Sequence, residues 1–385
     1  MGAGLQGKAV LHDLNRSPLV GEIVVGDIDE GTVRDFLSRV PLEKVRFTAV
    51  DASDSNQLHR AIREVSPEVV VCMLAPQFGP AVARAALDAG IPFVSSSYAG
   101  ELVRLDDEAR AKGVPILPEM GMDPGIDLLL AKRALAELDE VHGVFSYGAG
   151  LPEPQCADNP LKYKITWTFE GVLKAYKRAA RQLRDGIPKD IPDTQMFREE
   201  NIHRIDVPGL GPLEAYPNGD AIRYIDIFGL GKSVHTMGRF GVRYPGHCAF
   251  WSIMADMGFL DDKPLDFDGT PISPRSFLVR LLSPQLQFLP TERDVVIVLI
   301  RAWGMKAGKK RDVLYSLTDY RDLETGLFAM NRTVGYTTSI GAQFILAGRV
   351  TRAGVLSPVR DVPVDEALDE LRARGMQIEW RIEDL

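Results

Sequence analysis

The first seven residues constrain the fold more than any other segment of the chain. Residues 2–7 read Gly-Ala-Gly-Leu-Gln-Gly and match the pattern G-x-G-x-x-G, whose glycines permit a tight turn, close approach of a pyrophosphate and close helix packing. Helical spacing follows, and the next predicted strand ends at Asp27, about where an acid binds the ribose hydroxyl groups of adenosine. The segment therefore predicts a dinucleotide site, the alternative being a glycine-rich terminus with Asp27 as a helix cap. The predicted cofactor-binding residues here are Gly2, Gly4, Leu5, Gln6, Gly7 and Asp27.

The acid at position 27 also bears on which dinucleotide binds. A carboxylate repels the 2′-phosphate of NADP, whereas it can accept hydrogen bonds from the free hydroxyl groups of NAD. No arginine directly follows Asp27, because Ile28, Asp29 and Glu30 come next. NAD is therefore favoured over NADP.

Up to about residue 126, short β-branched apolar runs alternate with helical patterns. This alternation is typical of a doubly wound parallel sheet covered by helices. The predicted strands are Glu22–Asp27, Val45–Val50, Glu68–Leu74, Ile91–Ser95 and Val114–Leu117. The predicted helices are Lys8–Asn15, Ser55–Val65, Pro80–Ala89 and Glu101–Lys112.

One element of this fold has no sequence. Only Met1 precedes Gly2, so the strand that should lead into the glycine loop is absent. In a doubly wound sheet that strand lies in the middle, and its loss leaves two buried neighbours with unpaired backbone groups. We expect the natural start to lie upstream of Met1, or the sequence to be truncated.

The rest of the chain predicts a second, α+β domain. Its clearest element is a hairpin in which Asp294–Trp303 and Arg311–Thr318 flank a charged turn, so an antiparallel sheet is expected. Helical character returns from about residue 331, and Val364–Ile382 reads as a charged helix followed by a strand. The predicted domains are therefore 1–125 plus about 331–385 for the dinucleotide, and 126–330 for substrate binding and dimerisation.

Composition excludes several classes of protein. The 45 lysines and arginines face 53 aspartates and glutamates, and the net charge of −8 argues against nucleic-acid binding. No apolar run approaches the ~18 residues of a membrane span. Three widely spaced cysteines encode no disulfide framework and fit a reducing cytoplasm, and six histidines without metal-ligand spacing predict no metal site.

Several motifs together resemble those of the saccharopine dehydrogenase family. They include Val50–Asp54, Ser96-Ser97-Tyr98, Gly121–Asp127, Asp158–Lys164, Tyr147–Pro152, Tyr216-Pro217-Asn218 and Arg243–Gly246, in the family's order. The resemblance implies a Rossmann domain with an inserted substrate domain that forms a homodimer. It also implies NAD(P)-dependent oxidation of the C6–N bond of lysine or saccharopine, a small amino-acid substrate, to 2-aminoadipate 6-semialdehyde. By resemblance, Gly4, Gly7, Asp27, Asp51, Ala75 and Pro76 lie near the dinucleotide, and Ser97, Tyr98, Asp123 and Arg243 near the substrate.

One departure from the family pattern concerns the substrate. Where the resemblance implies an arginine after Tyr-Pro-Asn to hold a saccharopine carboxylate, this chain has Gly219. Loss of a charge-assisted bidentate partner favours a substrate without that carboxylate. Gly219 therefore favours lysine, whereas the segment 158–163 looks more like the saccharopine branch.

The chemistry predicts roles for individual side chains. An alkylammonium has a pKa of ~10.4 and must lose a proton before hydride can leave the adjoining carbon, so an alkaline optimum is expected. Asp123 is predicted to bind the amine, or alternatively to start a helix with Pro124 at its first position. Tyr98 is predicted to donate a hydrogen bond or merely to pack, and Arg243 to clamp the α-carboxylate or to form a surface salt bridge. His247 lies beside Arg243 in sequence, with a structural role as its alternative.

Two other functions stay open at this point. The enzyme could be an imine reductase acting on another amine, such as a polyamine precursor, which Gly219 also permits. The chain could instead be a non-catalytic paralogue that binds the dinucleotide without turnover.

Overall fold

The computed structural model describes all 385 residues, which divide into two compact units. Unit 1 comprises Met1–Arg133 and Glu324–Gln377, and unit 2 comprises Ala134–Leu323 and Ile378–Leu385. Most of the helix after Gly125 thus belongs to unit 1, and the last strand belongs to unit 2. Both differ from the predicted bounds, which placed that helix in the second domain and the whole chain end in the first.

The first segment of unit 1 alternates strands and helices as predicted. The strands are β1 (Ile23–Asp27), β2 (Val45–Ala49), β3 (Val70–Cys72), β4 (Phe93–Ser95) and β5 (Pro115–Leu117). The helices are α1 (Leu5–Arg16), α2 (Glu30–Arg39), α3 (Ser55–Val65), α4 (Gly79–Asp88), α5 (Asp106–Lys112) and α6 (Ile126–Leu135). Helix α3 begins where the Asp54 side chain accepts from two backbone amides of the first turn, and α2 where Asp29 accepts from Thr32 N.

Unit 2 is built on one large sheet. Its strands within this unit are β6 (Glu140–Pro152), β7 (Ala180–Arg184), β8 (Ile187–Ile191), β9 (His203–Val207), β10 (Gly211–Pro217), β11 (Thr236–Arg243), β14 (Asp294–Lys306) and β15 (Lys309–Tyr320). A separate two-stranded sheet consists of β12 (Leu265–Phe267) and β13 (Thr270–Ile272). Its helices are α7 (Phe169–Ala175), α8 (Arg223–Phe228), α9 (His247–Asp256) and α10 (Pro274–Leu282). The predicted hairpin is β14–β15, which turns at Ala307-Gly308, both at positive φ. The expectation of an antiparallel sheet is wrong in one place, because β11 pairs with β6 in parallel.

The end of the chain returns to unit 1 and then leaves it. Unit 1 gains α11 (Ala329–Leu346), β16 (Gly354–Val355), α12 (Pro358–Asp361) and α13 (Val364–Ala373), whereas β17 (Gln377–Asp384) lies beside β15 in the sheet of unit 2. Helix α11 packs closely on α1, since a Cβ built on Gly335 would lie 2.7 Å from the Cβ of Ala9. None of the helices combines the length and hydropathy that crossing a membrane requires.

The sheet of unit 1 is parallel throughout but divided into two parts. Strands β1 and β2 form one part, and β3, β4, β5 and β16 form the other. The predicted α/β class, a parallel doubly wound sheet with an α+β unit, is confirmed. The division falls at the predicted position of the absent strand.

The first two residues bridge the two parts of this sheet. The amino group of Met1 donates to the carbonyl oxygen of Val71 at 2.8 Å, and Met73 N donates to Met1 O at 2.8 Å. On the other side Gly2 N donates to Gly26 O at 2.9 Å. Beyond Met1, the space between β1 and β3 is a cavity of about 340 Å³ with mostly apolar walls.

Candidate functional site

The glycine loop shows why each glycine stands where it does. Gly2 has φ +88, and a Cβ built on Gly7 would lie 2.2 Å from Gly2 O, so neither position accepts a side chain without strain. Gly4 differs, because a Cβ there would meet nothing within 4 Å. Gly4 is also the N-cap of α1, the end of the helix that attracts phosphate. The loop thus leaves open space next to exposed backbone N–H groups, including those of Leu5 and Gln6, and this fits a pyrophosphate.

Asp27 lies at the carboxyl end of β1, beside the loop. Its Oδ2 accepts from Ala3 N at 2.7 Å and its Oδ1 from Asp29 N at 3.1 Å. The alternative role as a helix cap is wrong, because Asp29 caps α2 by accepting from Thr32 N. The carboxylate is therefore fixed against the glycine loop, where the ribose of a bound dinucleotide would be expected.

Two further predicted cofactor positions follow the next strands. Asp51 comes after β2, and hydrogen bonds from the Ser53 side chain and backbone hold the pKa of this carboxyl below its ordinary value. Ala75 and Pro76 come after β3 and are exposed. Because the strands are parallel, these residues share with Asp27 the carboxyl edge of the sheet, where open α/β folds bind their ligands.

Three of the predicted substrate residues lie in two adjoining loops of the same unit. Ser97 and Tyr98 follow β4, and Asp123 follows β5; the two loops are joined by the hydrogen bond from Glu119 N to Ser97 O at 2.9 Å. Ser97, Tyr98 and Asp123 are half-buried. Helix α6 begins only at Ile126, so the alternative in which Pro124 takes its first position is wrong.

A buried acid in these loops was missed by sequence reasoning. Glu119 is 2% exposed at φ +63, and its Oε1 accepts from Ala99 N at 3.2 Å. It therefore fixes the backbone just after Ser97 and Tyr98. No spacing or motif in the sequence distinguishes it from a surface glutamate.

In unit 2, Arg243 lies at the end of β11 and is 8% exposed. Its guanidinium lies 5.5 Å from the ring of Tyr163 and 5.9 Å from that of Tyr216, and its Nη1 donates to Val242 O at 2.8 Å. Arg243 Nε and the Tyr163 hydroxyl have no hydrogen-bond partner. The alternative of a surface salt bridge is wrong, because Arg243 is buried and pairs with no acid. A buried cation without a counter-ion is costly, and an anionic ligand would compensate it.

Tyr176 and His247 also lie around Arg243. We call the four side chains around this arginine (Tyr163, Tyr176, Tyr216 and His247) the tyrosine cage. His247 Nε2 and the Tyr176 hydroxyl are 2.7 Å apart. Burial, and next the charge of Arg243, lower the pKa of His247 well below its ordinary value, so the imidazole is neutral. Tyr163 and Tyr216 belong to sequence motifs named above, whereas Tyr176 carried no signal.

The turn that contains Gly219 lies close to another arginine. Gly219 has φ +70, and a Cβ built on it would lie 3.9 Å from Arg178 Nη2. The same Nη2 donates to the side-chain oxygen of Asn218. The position that lacks an arginine in sequence therefore has a guanidinium beside it in space.

The parallel sheet, the glycine loop and the acid at the end of β1 define a dinucleotide-binding unit of the Rossmann type. The family model described as the saccharopine dehydrogenase NADP binding domain matches residues 1–117, and the one described as the saccharopine dehydrogenase C-terminal domain matches residues 121–376. The chain belongs to the saccharopine dehydrogenase family. This confirms the family inferred from the sequence motifs.

Known relatives agree with this assignment. The saccharopine dehydrogenase [NADP(+), L-glutamate-forming] of Saccharomyces cerevisiae is 26% identical over 389 residues, which cover 84% of this chain and 86% of that protein. A solved structure, the apo histidine-tagged saccharopine dehydrogenase (L-Glu forming) from Saccharomyces cerevisiae, matches with a TM-score of 0.85 at 23% identity, covering 99% of this chain and 98% of that one. The structural likeness shows that the fold is shared.

Two other relatives differ in length and in name. The mitochondrial alpha-aminoadipic semialdehyde synthase of Bos taurus is 25% identical over 440 residues, covering 98% of this chain but 46% of that protein. The chain thus spans about half the length of that relative. The carboxynorspermidine synthase of Vibrio alginolyticus is 23% identical over 421 residues, covering 100% of this chain and 96% of that protein.

Proposed function

We propose that the protein oxidises the C6–N bond of saccharopine or lysine with NAD, giving 2-aminoadipate 6-semialdehyde after hydrolysis of an imine. The observation that carries this assignment is Arg243, a buried guanidinium without an acidic partner inside the tyrosine cage. Its planar fork suits the α-carboxylate that both substrates possess. The names of the fungal relatives support saccharopine, and that of the Bos taurus relative supports the aldehyde product.

Asp123 is the residue we assign to the substrate amine. The amine must be neutral before its carbon can lose hydride, and an alkylammonium with a pKa of ~10.4 gives up its proton reluctantly at neutral pH. A carboxylate near the amine can orient it and accept the proton, directly or through water. Ser97 and Tyr98 adjoin Asp123 through the two loops described above and supply hydroxyl groups for the same end of the substrate.

NAD is the cofactor we propose. The open space at Gly4 and the fixed Asp27 carboxylate fit an adenine dinucleotide, whose nicotinamide would accept the hydride from the substrate carbon. Asp27 favours a free ribose hydroxyl over a 2′-phosphate, although the matching family domain is described as NADP binding and the yeast relative is named for NADP. The choice between the two dinucleotides therefore depends on one side chain.

We also propose that the protein forms a homodimer in a reducing compartment such as the cytoplasm. Large apolar side chains on α9 and α10 support association through unit 2, since Ile253 is 65% exposed and Phe277 51%. All three cysteines are buried and unpaired, as a reducing environment would leave them. Sedimentation velocity of the purified protein tests the dimer.

One other activity has a specific observation in its favour. The carboxynorspermidine synthase of Vibrio alginolyticus matches over the whole chain, which supports an imine reductase acting on a carboxylated polyamine precursor. The same carboxylate site at Arg243 would serve that substrate.

The test is an assay of the purified protein with NAD and either saccharopine or lysine. NADH absorbance should rise, with release of glutamate from saccharopine or of ammonia from lysine. The variant Asp123→Asn should lose most of kcat/KM and keep NADH binding. Absence of turnover with both amines, at pH 7 to 10 and with either dinucleotide, would refute the proposed function.

A further inference from the structure

Arg178 is a cation whose position is set by the fold of unit 2. It follows α7, and its guanidinium lies over the turn 218–220, where Nη2 donates to the Asn218 side chain. A Cβ on Gly219 would lie 3.9 Å from Nη2 and 4.0 Å from Cζ, so Arg178 stands at the edge of the space that a side chain at 219 would enter. Because residue 219 is a glycine at φ +70, that space is left to Arg178.

Backbone hydrogen bonds hold this turn to the sheet. Asn218 N donates to Arg239 O at 2.8 Å, and Arg181 N donates to Gly219 O at 3.0 Å. Ala221 N in turn donates to Arg181 O at 2.8 Å. The partner of Arg178 is therefore fixed by β7 and β11, and a guanidinium oriented by such a partner can recognise a planar anion.

The positive charges of Arg178 and Arg243 both act on Tyr216. Arg178 is two residues from Tyr176, and Asn218 is two residues from Tyr216; the two tyrosine rings are 5.8 Å apart. Burial raises the pKa of Tyr216, while the charge of Arg243 and, more weakly, that of Arg178 oppose this rise. Tyr216 of the tyrosine cage therefore lies within the electrostatic reach of a buried guanidinium, Arg243, and of an exposed one, Arg178.

Two guanidinium groups whose charges both act on Tyr216 are suited to a ligand with two carboxylates. Lysine has one carboxylate, which the proposed function assigns to Arg243. In saccharopine the side-chain nitrogen of lysine is linked to a dicarboxylic fragment, so negative charge is also present beyond the reacting nitrogen. An exposed arginine can bind a carboxylate at that second end of the substrate, because there the carboxylate need not be fully desolvated.

We propose that Arg178 is a specificity-determining residue that binds a second substrate carboxylate and so selects a saccharopine-type secondary amine over free lysine. This inference rests on the proposed function. It reverses the expectation from Gly219 alone, because the guanidinium absent at position 219 is supplied by a residue 41 positions earlier in the chain.

The test compares Arg178→Gln and Arg178→Lys with the wild-type protein. Arg178→Gln should raise KM for saccharopine by ~10-fold, the loss of one charge-assisted contact, with kcat changed less than twofold. Arg178→Lys should keep part of the affinity, since it retains the charge but not the fork. KM for NAD, and KM for lysine if lysine is turned over, should not change.

The matched control is Arg181→Gln, which removes a neighbouring exposed guanidinium paired with Asp190 at 3.1 Å and leaves the backbone bonds of the turn intact. It should behave like the wild type. If the wild type oxidises saccharopine and Arg178→Gln leaves its KM unchanged, or changes no more than Arg181→Gln does, the role of Arg178 is refuted and the proposed function stands. If the wild type oxidises neither amine, the proposed function fails and the role of Arg178 fails with it.

Discussion

Replacing Arg243 by methionine should separate substrate binding from stability. A planar fork on a carboxylate makes two charge-assisted hydrogen bonds of about 1.5 to 3 kcal/mol each, so the variant should lose roughly 3 to 6 kcal/mol of binding. At 1.4 kcal/mol per factor of ten, kcat/KM should fall by about 10² to 10⁴. NADH binding should not change, because Arg243 belongs to unit 2 and the glycine loop to unit 1.

The stability of the same variant should hardly fall. Arg243 is buried without an acid, and replacing such a charge by an apolar side chain of similar length is often neutral or stabilising. The loss of contacts with the faces of Tyr163 and Tyr216 opposes this gain by about 0.5 to 1 kcal/mol each. We therefore expect a free energy of unfolding within about 2 kcal/mol of the wild type, measured by scanning calorimetry.

A contrasting variant is Arg374→Met. Arg374 binds buried Asp13 through two nitrogens at 2.7 and 3.0 Å, so its loss leaves an uncompensated buried carboxylate and should destabilise by about 3 to 5 kcal/mol. Substrate KM should stay unchanged for the protein that remains folded. The reasoning is wrong if Arg243→Met keeps kcat/KM within fivefold of the wild type, or if it destabilises the protein as much as Arg374→Met does. Either result would mean that Arg243 does not bind a substrate anion.

Three further predictions concern unit 1. Gly4→Ala should fold normally and weaken NADH binding at least tenfold, because the added methyl group would occupy the open space proposed for the pyrophosphate. Gly7→Ala should instead lower the free energy of unfolding of the apoprotein by ~2 kcal/mol or more, because its Cβ would lie 2.2 Å from a carbonyl oxygen. Fluorescence titration checks the NADH affinity and calorimetry the stability, and equal NADH affinity of Gly4→Ala and the wild type would contradict the role assigned to Gly4. Asp27→Ser should raise KM for NAD about tenfold and lower the preference for NAD over NADP, measured by initial rates with both dinucleotides, since it removes the carboxylate that repels a 2′-phosphate. In a chain expressed from Met1, burial lowers the pKa of the Met1 amino group below its ordinary 8.0. Below pH 8 the unfolded form of that chain binds the proton more readily, so its free energy of unfolding should rise with pH up to about 8. The same chain acetylated at Met1 should lack this component, and identical pH profiles would exclude it.

Elements with local signals could be predicted from the sequence. Ser55–Val65 is found with both predicted bounds, because Asp54 caps its start and Ser66 ends it in a left-handed conformation at φ 46. The glycine loop could be predicted equally well, because its glycines and Asp27 lie within a short stretch of the sequence. Helix Glu30–Arg39 was missed because only Val33 and Phe36 on it are buried, too few to give a helical period.

Features that depend on distant segments could not be predicted. The parallel pairing of β6 with β11 joins strands about 90 residues apart, and no residue pattern distinguishes it from an antiparallel pair. Tyr163, Tyr176 and Tyr216 of the tyrosine cage lie in three separate segments of the chain, and only tertiary packing brings them to Arg243. The position of Arg178 beside Gly219 is of the same kind, because a glycine in a sequence does not reveal which side chain occupies the space it leaves.

The division of the unit 1 sheet has a practical consequence for anyone who handles the protein. Met1 donates into the sheet through its amino group and lies beside the cavity between β1 and β3, so any residues joined in front of Met1, an affinity tag included, must start between these two strands. Leu385 is 76% exposed. A purification handle joined after Leu385 therefore leaves the gap between β1 and β3 undisturbed.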